Sequence, residues 1–124
     1  MNALQQSLLV FLGAGVGANA RYWLSVLISS KWQAFPWSTL TINVTGSLLL
    51  GLLLGYLDKH AEGQAWRLLL GVGLLGGYTT FSTFSMEAVQ MVRSGESWQA
   101  LVYVVGSCLL GFGVAYWGYS FARG

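Results

Sequence analysis

Nine residues near the middle of the chain, Gly76-Gly77-Tyr78-Thr79-Thr80-Phe81-Ser82-Thr83-Phe84, gather groups able to handle an ion. Thr79, Thr80, Ser82 and Thr83 place four hydroxyls within five residues, each offering one O–H donor. Phe81 and Phe84 are three apart and share a helical face. An aromatic ring has a negative face and a positive edge, so rings met edge-on can line an anion path without a full charge. Two such rings can also be plain core, and Ser or Thr hydroxyls often bond back to helix carbonyls. The setting argues for more than packing. The run lies inside an apolar stretch long enough to cross a bilayer, and glycine is a poor helix former. An unpaired backbone group in hydrocarbon is costly, so a helix break there is tolerated only where protein buries it or a wet cavity meets it.

Other polar groups fall at spacings that reinforce this. Asn43 shares a face with Thr39 and Ser47 and brings an amide with two donors. Donors without an accompanying carboxylate suit an anion, whereas a cation path more often shows Asp or Glu at mid-membrane. Arg21 interrupts the first apolar stretch; it is either functional or snorkelling to the interface along an apolar stem. Glu87 lies one turn beyond the phenylalanines, at a vestibule, either paired with Arg93 or solvated. Catalytic chemistry finds no such support. The one histidine, His60, sits beside Lys59 in a connection, no His/Cys/Asp cluster has metal-ligand spacing, and Ser82 and Ser85 have no base in their own span. The chain is not read as an enzyme.

The elements that must position these groups are membrane helices. Of the 124 residues, 55% are apolar and only 8% charged, against roughly 25% charged in a soluble domain. A span needs about 20 mostly apolar residues. The pattern predicts an all-α membrane protein, a single domain covering 1–124, with four transmembrane helices at about 4–28, 39–57, 66–92 and 98–121, the third broken in mid-membrane. Short connections carry much of the charge: Lys31, Asp58, Lys59, Glu62, Arg93 and Glu96. Ser38 is read as part of a connection. Trp32, Trp37, Trp66 and Trp98 fall near span ends, where indole rings favour the interface. The first stretch lacks a basic leader and a small-residue cleavage site, so it is read as a retained helix. Cys108 has no partner for a disulfide, and a net charge of +2 without a basic cluster points away from nucleic acid.

Spacing by four recurs among small and polar residues: Gly13, Gly17, Arg21 and Ser25, then Asn43, Ser47, Gly51 and Gly55, then Tyr103, Ser107, Gly111 and Ala115. Such faces let helix backbones approach closely in lipid. Lys59, Arg67 and Arg123 lie on one side of a four-span chain; Lys31 and Arg93 lie on the other, with Arg21 if it reaches that interface. The positive-inside rule is then nearly silent. A chain free to insert both ways, and too short to enclose a pathway alone, fits an antiparallel, dual-topology homodimer with its two-fold axis in the membrane plane.

Three runs then resemble one family. GLLGGYTTFSTFSME at 73–87 closely matches the signature of the Fluc or CrcB fluoride channels, GAGVGANARY at 13–22 resembles their first-helix motif, and PWSTLTINVTGSLLLG at 36–51 their second. Ser38, where the family commonly has glycine, and Gly111, near which some relatives carry a hydroxyl, depart from the pattern. The resemblance implies two parallel fluoride pores in the dimer, passive export of fluoride and resistance to it, and a place in the cell membrane. It implies Phe81 and Phe84 as an aromatic box, Asn43 as a pore-lining donor, Ser82, Thr83 and Thr39 on the polar track, and Tyr103 and Ser107 approaching it from the fourth helix. It also implies a structural Na+ at the dimer centre, held by backbone carbonyls of Gly76 and Thr79. A small dual-topology drug/proton antiporter is the alternative of similar size; it would need a membrane-embedded carboxylate, and none lies in the first helix. A non-transporting membrane subunit is the other rival.

Overall fold

A computed structural model describes residues 1–30, 34–61 and 63–124. Lys31, Trp32 and Glu62, which the sequence places in connections, lie outside the described residues. Within them every regular element is helical: α1 Ala3–Ser29, α2 Trp37–Leu57, α4 Phe81–Arg93 and α5 Ser97–Arg123. Between α2 and α4, Gln64–Trp66, Arg67–Leu75 and Gly76–Tyr78 run on without interruption and together form α3.

Local chemistry sets most of the ends. Asn2 and Gln5 form a capping box, Gln5 N–H donating to Asn2 Oδ1 at 2.9 Å and Asn2 N–H to Gln5 Oε1 at 3.0 Å. Pro36 caps α2, which takes in Ser38 as its second residue; Ser38 is therefore helical and buried, not part of a connection. A proline is tolerated at this position because its missing N–H would be an orphan in any case. Gly95, at φ +82°, ends α4: Glu96 N–H reaches Met91 O at 2.8 Å and Gly95 N–H reaches Val92 O at 3.1 Å. That pair of bonds is a Schellman motif, for which glycine carries no Cβ penalty. The centre of α3, Arg67–Leu75, is π-helical, with Gly76 N–H donating five residues back to Gly71 O. Such wide turns are rare and often mark functional sites.

Packing is inside-out relative to a soluble protein. α2 packs chiefly on α5, and α1 chiefly on α3. Glycines form the seams: Gly51 and Gly55 sit against the backbone at Ala115 and Tyr119, Gly118 against Leu48, and Gly13 and Gly17 against the carbonyls of Leu69 and Leu74. These are largely the four-spaced small residues. Large apolar side chains such as Leu8, Phe11, Leu109, Phe112 and Phe121 point outward, as lipid allows and water would not. Trp37–Leu57, Gln64–Arg93 and Ser97–Arg123 are long and apolar enough to cross a membrane. The chain is an all-helical, multi-pass membrane protein. At one end of the bundle Asp58 joins three elements, accepting from the Tyr119 hydroxyl at 2.5 Å and pairing with Arg67. Those hydrogen bonds, Tyr119's first, hold its carboxyl below the usual carboxylate range.

A methyl group at a seam should therefore cost more than one elsewhere on the same helix pair. Gly51→Ala forces its Cβ into the Ala115 backbone, whereas Gly113 has open space around it. Thermal unfolding of the solubilised protein should show Gly51→Ala destabilised by about 1–3 kcal/mol and Gly113→Ala unchanged or slightly stabilised. Equal effects would mean that the seam is not close-packed.

Candidate functional site

The site is built around two residues that leave the helix. Gly76 and Gly77, the expected weak point, remain helical. The interruption falls instead on Thr79 and Thr80, whose backbones are extended (φ −84°, ψ 158° and φ −148°, ψ 119°). Extended backbone suits β-branched threonine, and Thr80 gains a second role as N-cap of α4, its Oγ1 accepting from Thr83 N–H at 3.2 Å.

Asn43 holds this bend from α2. Its Oδ1 accepts from Thr80 N–H at 2.8 Å and its Nδ2 donates to Thr80 O at 3.0 Å. In an uninterrupted helix Thr80 N–H would bond Gly76 O, and Thr83 N–H would bond Thr79 O. Both donors are diverted, to Asn43 and to the Thr80 hydroxyl. Arg21 covers a carbonyl of α3, its Nε donating to Gly77 O at 3.2 Å. Arg21 thus brings its charge to the C-terminal end of α3, where the helix dipole is negative. The carbonyls of Gly76, Tyr78 and Thr79 keep no hydrogen-bond partner among the described residues. The break consequently has two electrostatic sides. The end of α3 offers bare carbonyl oxygens to a cation, and the start of α4 offers first-turn N–H groups to an anion.

Beside the break lies a cavity of about 350 Å³, with Asn43, Ser47, Thr79, Phe81, Phe84 and Ser107 among its lining. Asn43 has one amide N–H left after clamping Thr80. Ser107 Oγ is buried with no partner. A buried hydroxyl left unsatisfied is unfavourable, so the cavity is lined by two residues whose donors find no partner among the described residues. The Phe81 and Phe84 rings are 6.0 Å apart and tilted by 53°. Phe84 is partly buried, while Phe81 is 79% exposed. Ser82 and Thr83 also face outward. Thr79 Oγ1 donates to Leu75 O at 3.0 Å, bonding back to the last turn of α3.

Two predicted track residues sit elsewhere. Thr39 is 3% exposed and Tyr103 1%. Neither lines this cavity. Tyr103 donates to Glu87 Oε1 at 3.2 Å, so Glu87 is bonded to Tyr103 rather than to Arg93. Glu87 in turn lines a second, open hollow of about 420 Å³ near Phe35, Gln90 and Glu96. Sequence reasoning passed over Thr45, whose hydroxyl meets Tyr78 OH at 2.9 Å and ties α2 to the end of α3. Thr45 lies off the four-spaced Asn43–Ser47 face, and only its own i, i+4 relation to Thr41 marks it.

Against known proteins, a family model described as CrcB-like protein, Camphor Resistance (CrcB), matches residues 8–119. A protein of Oceanobacillus iheyensis named fluoride-specific ion channel FluC is 47% identical over 116 residues, covering 93% of this chain and 89% of its own. Similarly named proteins of Novosphingobium aromaticivorans and Thermus thermophilus are 43% and 45% identical, each alignment covering 93–94% of this chain and 94% of the relative.

The clamp has a direct test. Asn43→Leu removes both partners of the Thr80 peptide at once, exposing two backbone groups to a cost of about 1–3 kcal/mol each. Thermal unfolding in detergent should show that loss, with Asn43→Asp, which keeps the acceptor for Thr80 N–H, less affected. A Leu variant as stable as wild type would show that Asn43 does not hold the bend.

Proposed function

The chain belongs to the CrcB family, and from that premise we propose that it is a passive, fluoride-selective channel that lets fluoride leave the cytoplasm. A channel is not an enzyme, and this one is a multi-pass protein of the cell membrane. The observation that carries the reading is the cavity beside the break, lined together by Asn43 with a spare N–H, Ser107 with no partner among the described residues, and the Phe81 and Phe84 rings. A small anion stripped of water needs partial positive charge from several sides at once. Amide and hydroxyl donors, ring edges and the N-terminal end of α4 supply it without a cation that would trap the ion. Ser82 and Thr83, at the start of α4, are exposed beside Phe81; buried Tyr103 and Thr39 stand outside the cavity, Tyr103 bonded to Glu87.

Hydrofluoric acid, a weak acid, crosses membranes uncharged and ionises in a more neutral cytoplasm. An inside-negative potential, worth about 2.3 kcal/mol per charge per 100 mV, then drives the anion out. The antiporter alternative has no support: the relatives are named as channels, and Glu87, its best carboxylate, is bonded to buried Tyr103.

The same reading extends to four membrane spans, with α1 the fourth and the break at membrane depth, and to an antiparallel homodimer in the lipid bilayer. Exposed Phe81, Ser82 and Thr83 support it, since a mixed polar and aromatic face calls for protein cover within a bilayer. The near-equal sharing of Lys and Arg supports two orientations. The residues present also fit a structural Na+. The unpartnered carbonyls of Gly76 and Thr79 would hold it, and the ion would supply positive charge where oxygens otherwise repel one another. A cysteine placed at exposed Ser120, in a Cys108→Ala background, should be labelled from both sides of the membrane; labelling from one side alone would rule out dual topology.

Conduction is tested by ring chemistry. Phe81→Ile and Phe84→Ile keep apolar bulk and remove the quadrupole. In proteoliposomes with potassium short-circuited by an ionophore, both variants should assemble yet lose most fluoride efflux. Asn43→Asp, which adds charge of the wrong sign in a low-dielectric path, should do the same. Wild-type efflux from all three would overturn the proposed pore.

A further inference from the structure

We propose that Phe35, in the loop between α1 and α2, is a positioning residue for ion passage, fixing the attitude of the Phe84 ring through Tyr103. The inference rests on the channel reading above. Three rings stand in series: Phe35 meets Tyr103 edge-on at 5.4 Å and 84°, and Tyr103 meets Phe84 at 5.0 Å and 63°. Tyr103 is the most buried large side chain of the chain's described residues, together with Ile42. It is held at its hydroxyl by Glu87, sits in a cluster with Met91 and Ala100, and meets Phe35 and Phe84 ring to ring.

Phe35 is itself set by backbone geometry. Pro36 has φ −76° and ψ 60°, and Trp37 N–H bonds Phe35 O at 2.7 Å across it. Those values describe an inverse γ-turn, with φ pre-set by the proline ring. The turn folds Phe35 back beside Trp37, 4.7 Å between centroids, and over the outer side of Tyr103. Among the described residues, Phe35 also lines the open hollow. Removing the ring therefore merges that hollow with the space around Tyr103 and frees Tyr103 to tilt. Phe84 then loses the wall that fixes which part of its ring faces the inner cavity. Because the electrostatic sign of an aromatic ring depends on its orientation, an unfixed Phe84 presents its negative face to the anion part of the time. Phe35 touches none of the donors in the inner cavity, so its effect passes through Tyr103.

Per-channel fluoride current and fluoride-over-chloride selectivity should be measured on assembled dimers of Phe35→Leu, Phe35→Met and Phe35→Tyr. Leu and Met keep similar bulk without a ring and should lower current or selectivity about two- to tenfold; Tyr should restore both. In a Tyr103→Leu background, Phe35→Leu should have no further effect, because the intermediary is gone. A merely structural Phe35 would change the yield of dimers and leave per-channel current and selectivity at wild-type values, which would overturn the inference. So would additive losses in the double variant. If either aliphatic variant fails to assemble, the other gives the reading, and the Tyr variant tests rescue. Absence of fluoride current from wild type would instead defeat the channel reading itself.

Discussion

The two hydrogen bonds between the Asn43 amide and the Thr80 peptide are the constraint on which the rest depends. They take both backbone polar groups of one residue out of a helix within an apolar chain and satisfy them from the side. Everything electrostatic about the site follows. Diverting Thr80 N–H from Gly76 leaves carbonyls bare at the end of α3, and restarting the helix at Phe81 leaves N–H groups at the beginning of α4. A single bend thereby makes a cation-favouring end and an anion-favouring end a few residues apart, using no ionised side chain except Arg21, which serves the cation-favouring end.

Close helix packing makes such a bend possible. Asn43 reaches the break because α2 lies near the end of α3, where Gly46 faces Tyr78 and Thr79. The glycine seams bring α1 onto α3 and α2 onto α5 at backbone contact. In lipid this packing replaces the hydrophobic collapse that would assemble a soluble bundle. It also leaves many large apolar side chains outside, while the interior holds small residues, a few apolar side chains such as Ile42, Leu75 and Met91, and the Phe35–Tyr103–Phe84 series.

Much of this was legible in the sequence. Apolar length and sparse charge gave the helices within a few residues, with α2 beginning two residues earlier than expected and α5 ending two later. Spacing by four gave the seams, because a 3.6-residue period puts those positions on one face whatever the partner. The location of the bend was only half legible. Propensity points to Gly76-Gly77, yet both stay helical, and Gly77 serves close approach to α1 at Ala14. The threonines bend because Asn43, more than thirty residues away, meets them. No local rule contains that pairing. The bond between Glu87 and Tyr103 is not legible for the same reason: it crosses two helices, and sequence neighbours such as Arg93 are poor guides to it. Thr45 was overlooked because it lies off the track that the spacing drew.

The central claim is passive conduction of one anion, and a zero-current voltage tests it most directly. The purified protein alone, in a planar bilayer, would be exposed to opposed gradients of fluoride, chloride, potassium and protons. The expected zero-current voltage follows the fluoride gradient and stays there when any of the other three is reversed. A voltage that tracks chloride, potassium or pH, or a bilayer that carries no current, would contradict the account.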